Sequence, residues 1–140
     1  MPRYEGWIER AKSSLELAQA KIIQHIYYED LCYQSQQAAE KALKGLLICY
    51  GVEPEFTHNI EILLRKIKMI TDIPENIKEA AQLTVYAVQT RYPGEYEEVT
   101  KEEYEKSIQI AESCLDWVEK KIRENKKSPS RNFPPPADLC

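Results

Sequence analysis

Arg91 and His58 are the side chains in this sequence with the widest chemical reach. A guanidinium is a planar fork of donors matched to phosphate or carboxylate, and Arg91 falls near the C-terminal end of a predicted helix. An imidazole both donates and accepts hydrogen bonds. His58 lies in the first turn of another predicted helix, where the positive end of the helix dipole favours the neutral ring. Lys41 and Lys44 are three apart on a third helix, so both can project from one side toward a phosphate. Tyr92 and Tyr96 offer rings on which a base can stack. Arg91, Tyr92, Lys41, Lys44 and His58 are therefore the candidate contacts for a nucleotide or RNA.

Each of these residues also has a plain structural role open to it. Arg91 can pair with Glu95, Glu97 or Glu98 and fix its own turn, as the helix dipole favours a cation at a C-terminus. His58 can anchor a loop. Glu40 lies one turn before Lys44, in the order that favours a solvated, salt-bridged face. Nine tyrosines supply core and interface area as readily as stacking platforms. Lys120, Lys121, Arg123, Lys126 and Lys127 form a basic helix end that complements the dipole first and can meet RNA second.

Other chemistries find little support. Glu55 and His58 match Glu-x-x-His, but a di-iron bundle needs two such pairs and two further inward glutamates, and Pro54 and Thr57 spread this copy over a loop and helix start. No metal site is expected. Cys32, Cys49, Cys114 and Cys140 show no ligand spacing and read as reduced thiols, three of them within helical patterns. No P-loop, nucleophile elbow or dinucleotide glycine motif is present, and no cofactor is expected.

The elements that must position these residues are helices. Trp7, Ala11, Leu15, Ala18, Ile22 and Ile26 form a stripe that predicts a helix from about Tyr4 to His25. After a turn near Tyr27 to Asp30, with Asp30 as cap, a second helix runs to Tyr50 and stops at Gly51. Its wide apolar face, Ala38, Ala39, Ala42, Leu43, Leu46 and Leu47, marks it as the central helix. Thr57 is the expected N-cap of a third helix carrying Ile60, Leu63, Leu64, Ile67 and Ile70. Asp72 to Glu75 predicts a capping box and a fourth helix to about Thr90, with Ile77, Ala80, Ala81, Thr84 and Val88 inward and Pro93-Gly94 as its end. Thr100 opens the fifth, on which Tyr104, Ile108, Ala111, Leu115, Val118 and Ile122 recur at steps of four and three.

These segments predict an all-α protein, an up-and-down four-helix bundle with one additional short helix. The bundle is expected over residues 1–125 and a flexible Pro-rich tail over 126–140. A chain of 140 residues suits one domain that folds without disulfides or metal. A net charge of −4 argues against non-specific coating of nucleic acid, which depends on neutralising phosphates, and no DNA contact is expected. No apolar run reaches the roughly 20 residues that span a bilayer, and the N-terminal MPRYEGWIER lacks a signal-peptide segment. A cytoplasmic protein without membrane contact is expected.

Gln36 to Lys44 reads QQAAEKALK, Thr57-His58-Asn59-Ile60 opens a leucine-rich helix, and Arg91-Tyr92-Pro93-Gly94 follows. In this order, over residues 4–122, the parts resemble a HEPN domain. The resemblance implies the same bundle and a homodimer, and polar Gln36 on the apolar stripe of the second helix is compatible with a protein surface there. HEPN ribonucleases resembling this chain carry an Arg followed four to six residues later by His, the arginine stabilising phosphate charge and the imidazole moving a 2′-hydroxyl proton. No histidine follows Arg91 here. The RYPG type instead resembles the small prokaryotic HEPN proteins that pair with a minimal nucleotidyltransferase, often as a toxin–antitoxin couple, with nucleotide or RNA binding as the implied property. Two alternatives stay open: a metal-independent ribonuclease toxin using Arg91 with His58 or a tyrosine, and a helical scaffold without ligand.

Overall fold

The computed structural model describes residues 3–20, 26–88 and 98–127, and among them every regular element is helical. In chain order these are α1 (Tyr4–Ala18), α2 (Tyr28–Cys49), α3 (Ile60–Lys68), the single turn α4 (Glu75–Lys78), a 3-10 segment (Glu79–Thr84), the single turn α5 (Val85–Val88) and α6 (Lys101–Lys127). The expected end of helix one at His25, the RYPG exit with Arg91, Tyr92 and Tyr96, and the tail from 128 onward lie outside the described residues.

Helix α2 is the axis of the bundle, packing on α1, α6 and α3. Its last three turns are buried all round: Ala42, Leu43, Leu46, Leu47, Ile48 and Cys49 are each at most 1% exposed. Against it α1 turns Tyr4, Ile8, Ala11 and Ala18 inward, while Trp7 and Leu15 flank that line half-buried. The α1–α2 contact is close because Gly45 leaves room for it. A Cβ there would stand 3.0 Å from Ile8 Cδ1, 3.1 Å from Trp7 Cβ and 3.4 Å from the Tyr4 carbonyl oxygen.

Several boundaries differ from expectation for local reasons. After Ala18 the amide of Ala20 donates to the Leu17 carbonyl in an i to i+3 bond of 3.2 Å, which tightens the chain out of the α-helix. Helix α2 begins at Tyr28, so Asp30 is in its first turn rather than at its cap, still well placed against the dipole. Asn59, not Thr57, caps α3 by accepting from the Glu61 amide at 3.0 Å, and Thr57 instead accepts from the Asn59 amide. His58 therefore stands one residue before the cap, outside the helix. Asp72 does not cap the fourth segment; it accepts from Lys68 at 2.9 Å, and Pro74 holds the N-cap position.

The expected continuous fourth helix is a chain of tighter turns. Ile77, Ala80 and Leu83 are its buried residues, a spacing of three that matches the 3.0-residue repeat of a 3-10 helix and not the 3.6 of an α-helix. Thr84, at the end of that segment, accepts from the Ile60 amide at 3.1 Å and satisfies one of the free donors at the start of α3. Thr100 caps α6 as expected, accepting from the Glu103 amide at 3.1 Å. The buried line of α6 is Ser107, Ile110, Ala111, Cys114, Leu115, Val118 and Ile122. Tyr104 stacks on Tyr28 at 5.0 Å and donates to the Ala18 carbonyl at 2.6 Å, fastening the start of α6 to the end of α1 and the start of α2. Cys32, Cys49 and Cys114 are buried thiols outside any disulfide, and burial pushes the Cys114 thiol up to about 12.

Gly51 ends α2 at φ 79°, in the left-handed region. Its amide donates to the Ile48 carbonyl at 2.9 Å and that of Val52 to the Leu47 carbonyl at 2.8 Å, the paired bonds of a Schellman cap. Gly51→Ala is expected to destabilise the protein by about 1 kcal/mol through the Cβ clash at positive φ. The check is urea unfolding, with a lower midpoint at unchanged slope; an unshifted midpoint would contradict this role.

Candidate functional site

Gln36, Glu40 and Lys44 follow one another at i, i+4 on α2, so they form a polar ladder along one face of the most buried helix. The ladder is not solvated. Gln36 is fully buried, Glu40 is 3% exposed and Lys44 8%. The expected solvated Glu40–Lys44 face is thus a buried ion pair, with Lys44 Nζ 3.0 Å from Glu40 Oε2. The ammonium also lies 5.6 Å from the Trp7 ring centroid, close enough for a cation–π contact. Gln36 does not reach an outer protein surface, contrary to the role the sequence suggested for it at a dimer face.

Two elements close over this ladder. Trp7 of α1 covers Lys44, and the lead-in to α3 brings His58 onto Glu40. Gln36 Nε2 donates to Glu40 Oε1 at 2.9 Å and to the His58 carbonyl at 3.2 Å, while Gln36 Oε1 accepts from Gln37 Nε2 at 2.8 Å. His58 Nδ1 is 2.9 Å from Glu40 Oε1. The Glu40 carboxylate thus meets donors from three residues, which is what a buried charge requires. Burial by itself pushes the Glu40 carboxyl up; the hydrogen bonds from Gln36, His58 and Lys44, with the Lys44 charge, outweigh it and hold the pKa below the usual glutamate value.

That ionised state fixes the imidazole. A carboxylate only accepts, so His58 Nδ1 must carry the proton in this contact, and in the neutral ring Nε2 is then the free acceptor. The His58 side chain is 63% exposed while that of Glu40 is 4% exposed. The arrangement is a buried carboxylate that orients an exposed imidazole, which can take or give a proton at Nε2 or hydrogen-bond a ligand.

The sequence-derived candidates divide accordingly. His58 and Lys44 meet on the two oxygens of Glu40, and Lys44 is committed to that pair. Lys41, three residues earlier, diverges toward α1 and donates to Ser14 Oγ at 3.1 Å. Arg91 and Tyr92 lie outside the described residues. The sequence does not mark Glu40 and Gln36 as site residues. The signal available is the run of apolar neighbours on both sides, Ala38, Ala39, Ala42, Leu43, Leu46 and Leu47, which leaves no wet face for the ladder. Glu55, the other half of the Glu-x-x-His spacing, pairs with Lys66 at 3.4 Å. Among the described residues no group of His, Cys, Asp and Glu is arranged to hold a metal, and no helix is long and apolar enough to cross a membrane.

The sequence that builds this fold belongs to a known class. A HEPN domain family model matches residues 4–121, and the chain belongs to that family. It is similar over 84% of its length to a Methanocaldococcus jannaschii protein described as "Putative toxin MJ1304", at 30% identity and 87% coverage of that protein. Among solved structures it is similar to ST0689, an archaeal HEPN homologue, with 36% identity and a TM-score of 0.69 over 87% of this chain and 99% of that one. It is also similar to TT1696 from Thermus thermophilus, with 35% identity and a TM-score of 0.74 over 86% and 99%.

Removing the Glu40 carboxylate leaves Lys44 and Gln36 buried without their acceptor. Glu40→Ala is expected to cost about 3 kcal/mol, and Glu40→Gln, which keeps the shape, roughly 1 to 2 kcal/mol. Because folding lowers the Glu40 pKa, its contribution is complete above the ordinary glutamate value of about 4.3 and is lost as the pH falls through the depressed native value. Urea unfolding across that acid window should show a steeper loss of stability in the wild type than in Glu40→Gln. Parallel pH profiles would contradict the assignment.

Proposed function

We propose that this chain is the HEPN component of a toxin–antitoxin couple, a nucleotide- or RNA-directed homodimer that acts with a minimal nucleotidyltransferase. Family membership and the toxin description of the M. jannaschii relative support the class. The observation that carries the reading is the Glu40 network, a buried charge cluster with one exposed member, the His58 imidazole. Buried ion pairs give little stability over an apolar packing of the same volume, so such a cluster suits a ligand contact better than a bare scaffold. Arg91 and Tyr92, from the segment after α5, complete the proposed contact set. The test is co-expression with a minimal nucleotidyltransferase encoded beside this chain: co-elution of the two proteins is expected, and separate elution would overturn the partnership.

A second reading, metal-independent RNA cleavage, is favoured by one specific feature. The Arg-x4–6-His pattern lacks its histidine after Arg91, and His58, with Nε2 free to act as base, supplies an imidazole from elsewhere in the chain. In this reading Arg91 stabilises charge on the phosphate while His58 accepts the 2′-hydroxyl proton. The 2′-oxygen attacks phosphorus, the P–O5′ bond breaks and the 5′-oxygen leaves as an alcohol on taking a proton, giving a 2′,3′-cyclic phosphate. Purified protein would then cleave a tRNA pool in chelator, and Arg91→Ala and His58→Ala would each lower the rate by about 100-fold or more. Equal background from all three proteins would reject catalysis and leave the binding role.

A further inference from the structure

Beside the Glu40 ladder, α1 and α2 bring together cations that the network does not use. Arg10 and Ser14 are one turn apart on α1, and Lys41 comes from the facing turn of α2, with its Nζ 3.1 Å from Ser14 Oγ. Arg10 is exposed, Lys41 half-buried and Ser14 buried. Among the described residues neither cation has a carboxylate within ion-pair distance, although the chain is rich in acids. The neighbouring carboxylate, Glu40, has its oxygens engaged by Lys44, His58 and Gln36. The positive charge is therefore concentrated. Burial first, and then the charge of Arg10, push the Lys41 ammonium below the usual lysine value, against the opposing charge of Glu40.

We propose that Arg10, Ser14 and Lys41 form a phosphate-ester subsite, taking one phosphate of an RNA strand or of a nucleotide. The subsite rests on the nucleotide- or RNA-directed reading above and gives it a location. The chemistry is complementary: a guanidinium fork and an ammonium bracket the oxygens of a tetrahedral anion, and the Ser14 hydroxyl, which now accepts from Lys41, still has its proton to donate. The terminal phosphate of a nucleotide offers three oxygens to these donors and a strand phosphodiester offers two on a tetrahedral centre, whereas a carboxylate offers two in one plane. The subsite also reconciles an acidic protein with an anionic ligand, since the contact is local and does not require a basic surface overall.

The test is fluorescence titration of the full chain with a labelled single-stranded RNA oligonucleotide and, separately, with a fluorescent ATP analogue, at several salt concentrations. Arg10→Gln and Lys41→Gln are compared with Lys101→Gln, an exposed lysine at the start of α6. Each subsite variant is expected to weaken RNA binding about tenfold and to reduce the salt slope by about 0.7, the value for one single-strand phosphate contact, while Lys101→Gln binds as the wild type. A loss confined to the ATP analogue would also support the subsite and identify the nucleotide as the phosphate source. Arg10→Gln lies on an exposed position and keeps the test decisive should Lys41→Gln unfold. Wild-type binding with unchanged affinity in both variants, or an equal loss in Lys101→Gln, would overturn the subsite and leave the RNA-directed reading standing. Wild-type protein that binds neither ligand would overturn both.

Discussion

One ionised carboxylate, sealed in the middle of the bundle, sets the terms for the rest of this molecule. Glu40 sits where an apolar residue would cost less, and it keeps its charge only because Gln36, Lys44 and His58 each direct a donor at it. The three donors come from two parts of the chain. The ladder on α2 can form as soon as the helix does, but the His58 contact requires the loop after Gly51 to fold back along α2. The Schellman cap at Gly51 and the Asn59 cap of α3 are the two devices that turn the chain so that it does. Electrostatics in the core and turn geometry at the surface are thus one constraint seen from two sides.

The consequence for function is directional. Lys44 and Gln36 are buried, and each donates to Glu40. His58 shares their acceptor yet presents most of its ring to solvent. A proton at Nδ1 is held in place by the carboxylate, and reactivity is left to Nε2, the pairing of buried acid and exposed imidazole that orients a histidine for proton transfer or for a polar ligand. The HEPN family relation places this arrangement in a fold whose members include a protein described as a toxin.

Helices were legible in the sequence where packing and periodicity agree. The apolar width of α2 and the stripe Ile60, Leu63, Leu64 and Ile67 on α3 survive in the structure, with Ile70 half-buried. On α6 Ala111, Leu115, Val118 and Ile122 are buried as expected, while Tyr104 and Ile108 are half-buried and Ser107 and Ile110 take the inward positions. What the sequence hid follows from competition between near-equal local choices. Thr57 and Asn59 are both good caps; in the structure Asn59 takes the cap of α3 while Thr57 accepts from the Asn59 amide. Ile77, Ala80 and Leu83 satisfy a three-residue repeat as well as Ile77, Ala80, Ala81 and Thr84 satisfy a longer one, so the 3-10 geometry was not visible in spacing alone. Glu40 and Lys44 have the same sequence signature whether the face is wet or dry. Burial depends on Trp7 and His58, residues more than a dozen positions away, and no local pattern carries that information.

The claim at the centre is the state of the His58 ring, and nitrogen-15 NMR reads it directly. A long-range proton–nitrogen correlation spectrum of uniformly labelled protein near neutral pH is predicted to show His58 with a protonated Nδ1 and an acceptor Nε2, and the pattern is predicted to revert toward the ordinary Nε2-protonated tautomer in Glu40→Gln. A wild-type His58 already in the Nε2-protonated form would mean that the carboxylate does not hold the ring, and the account of the site would be wrong.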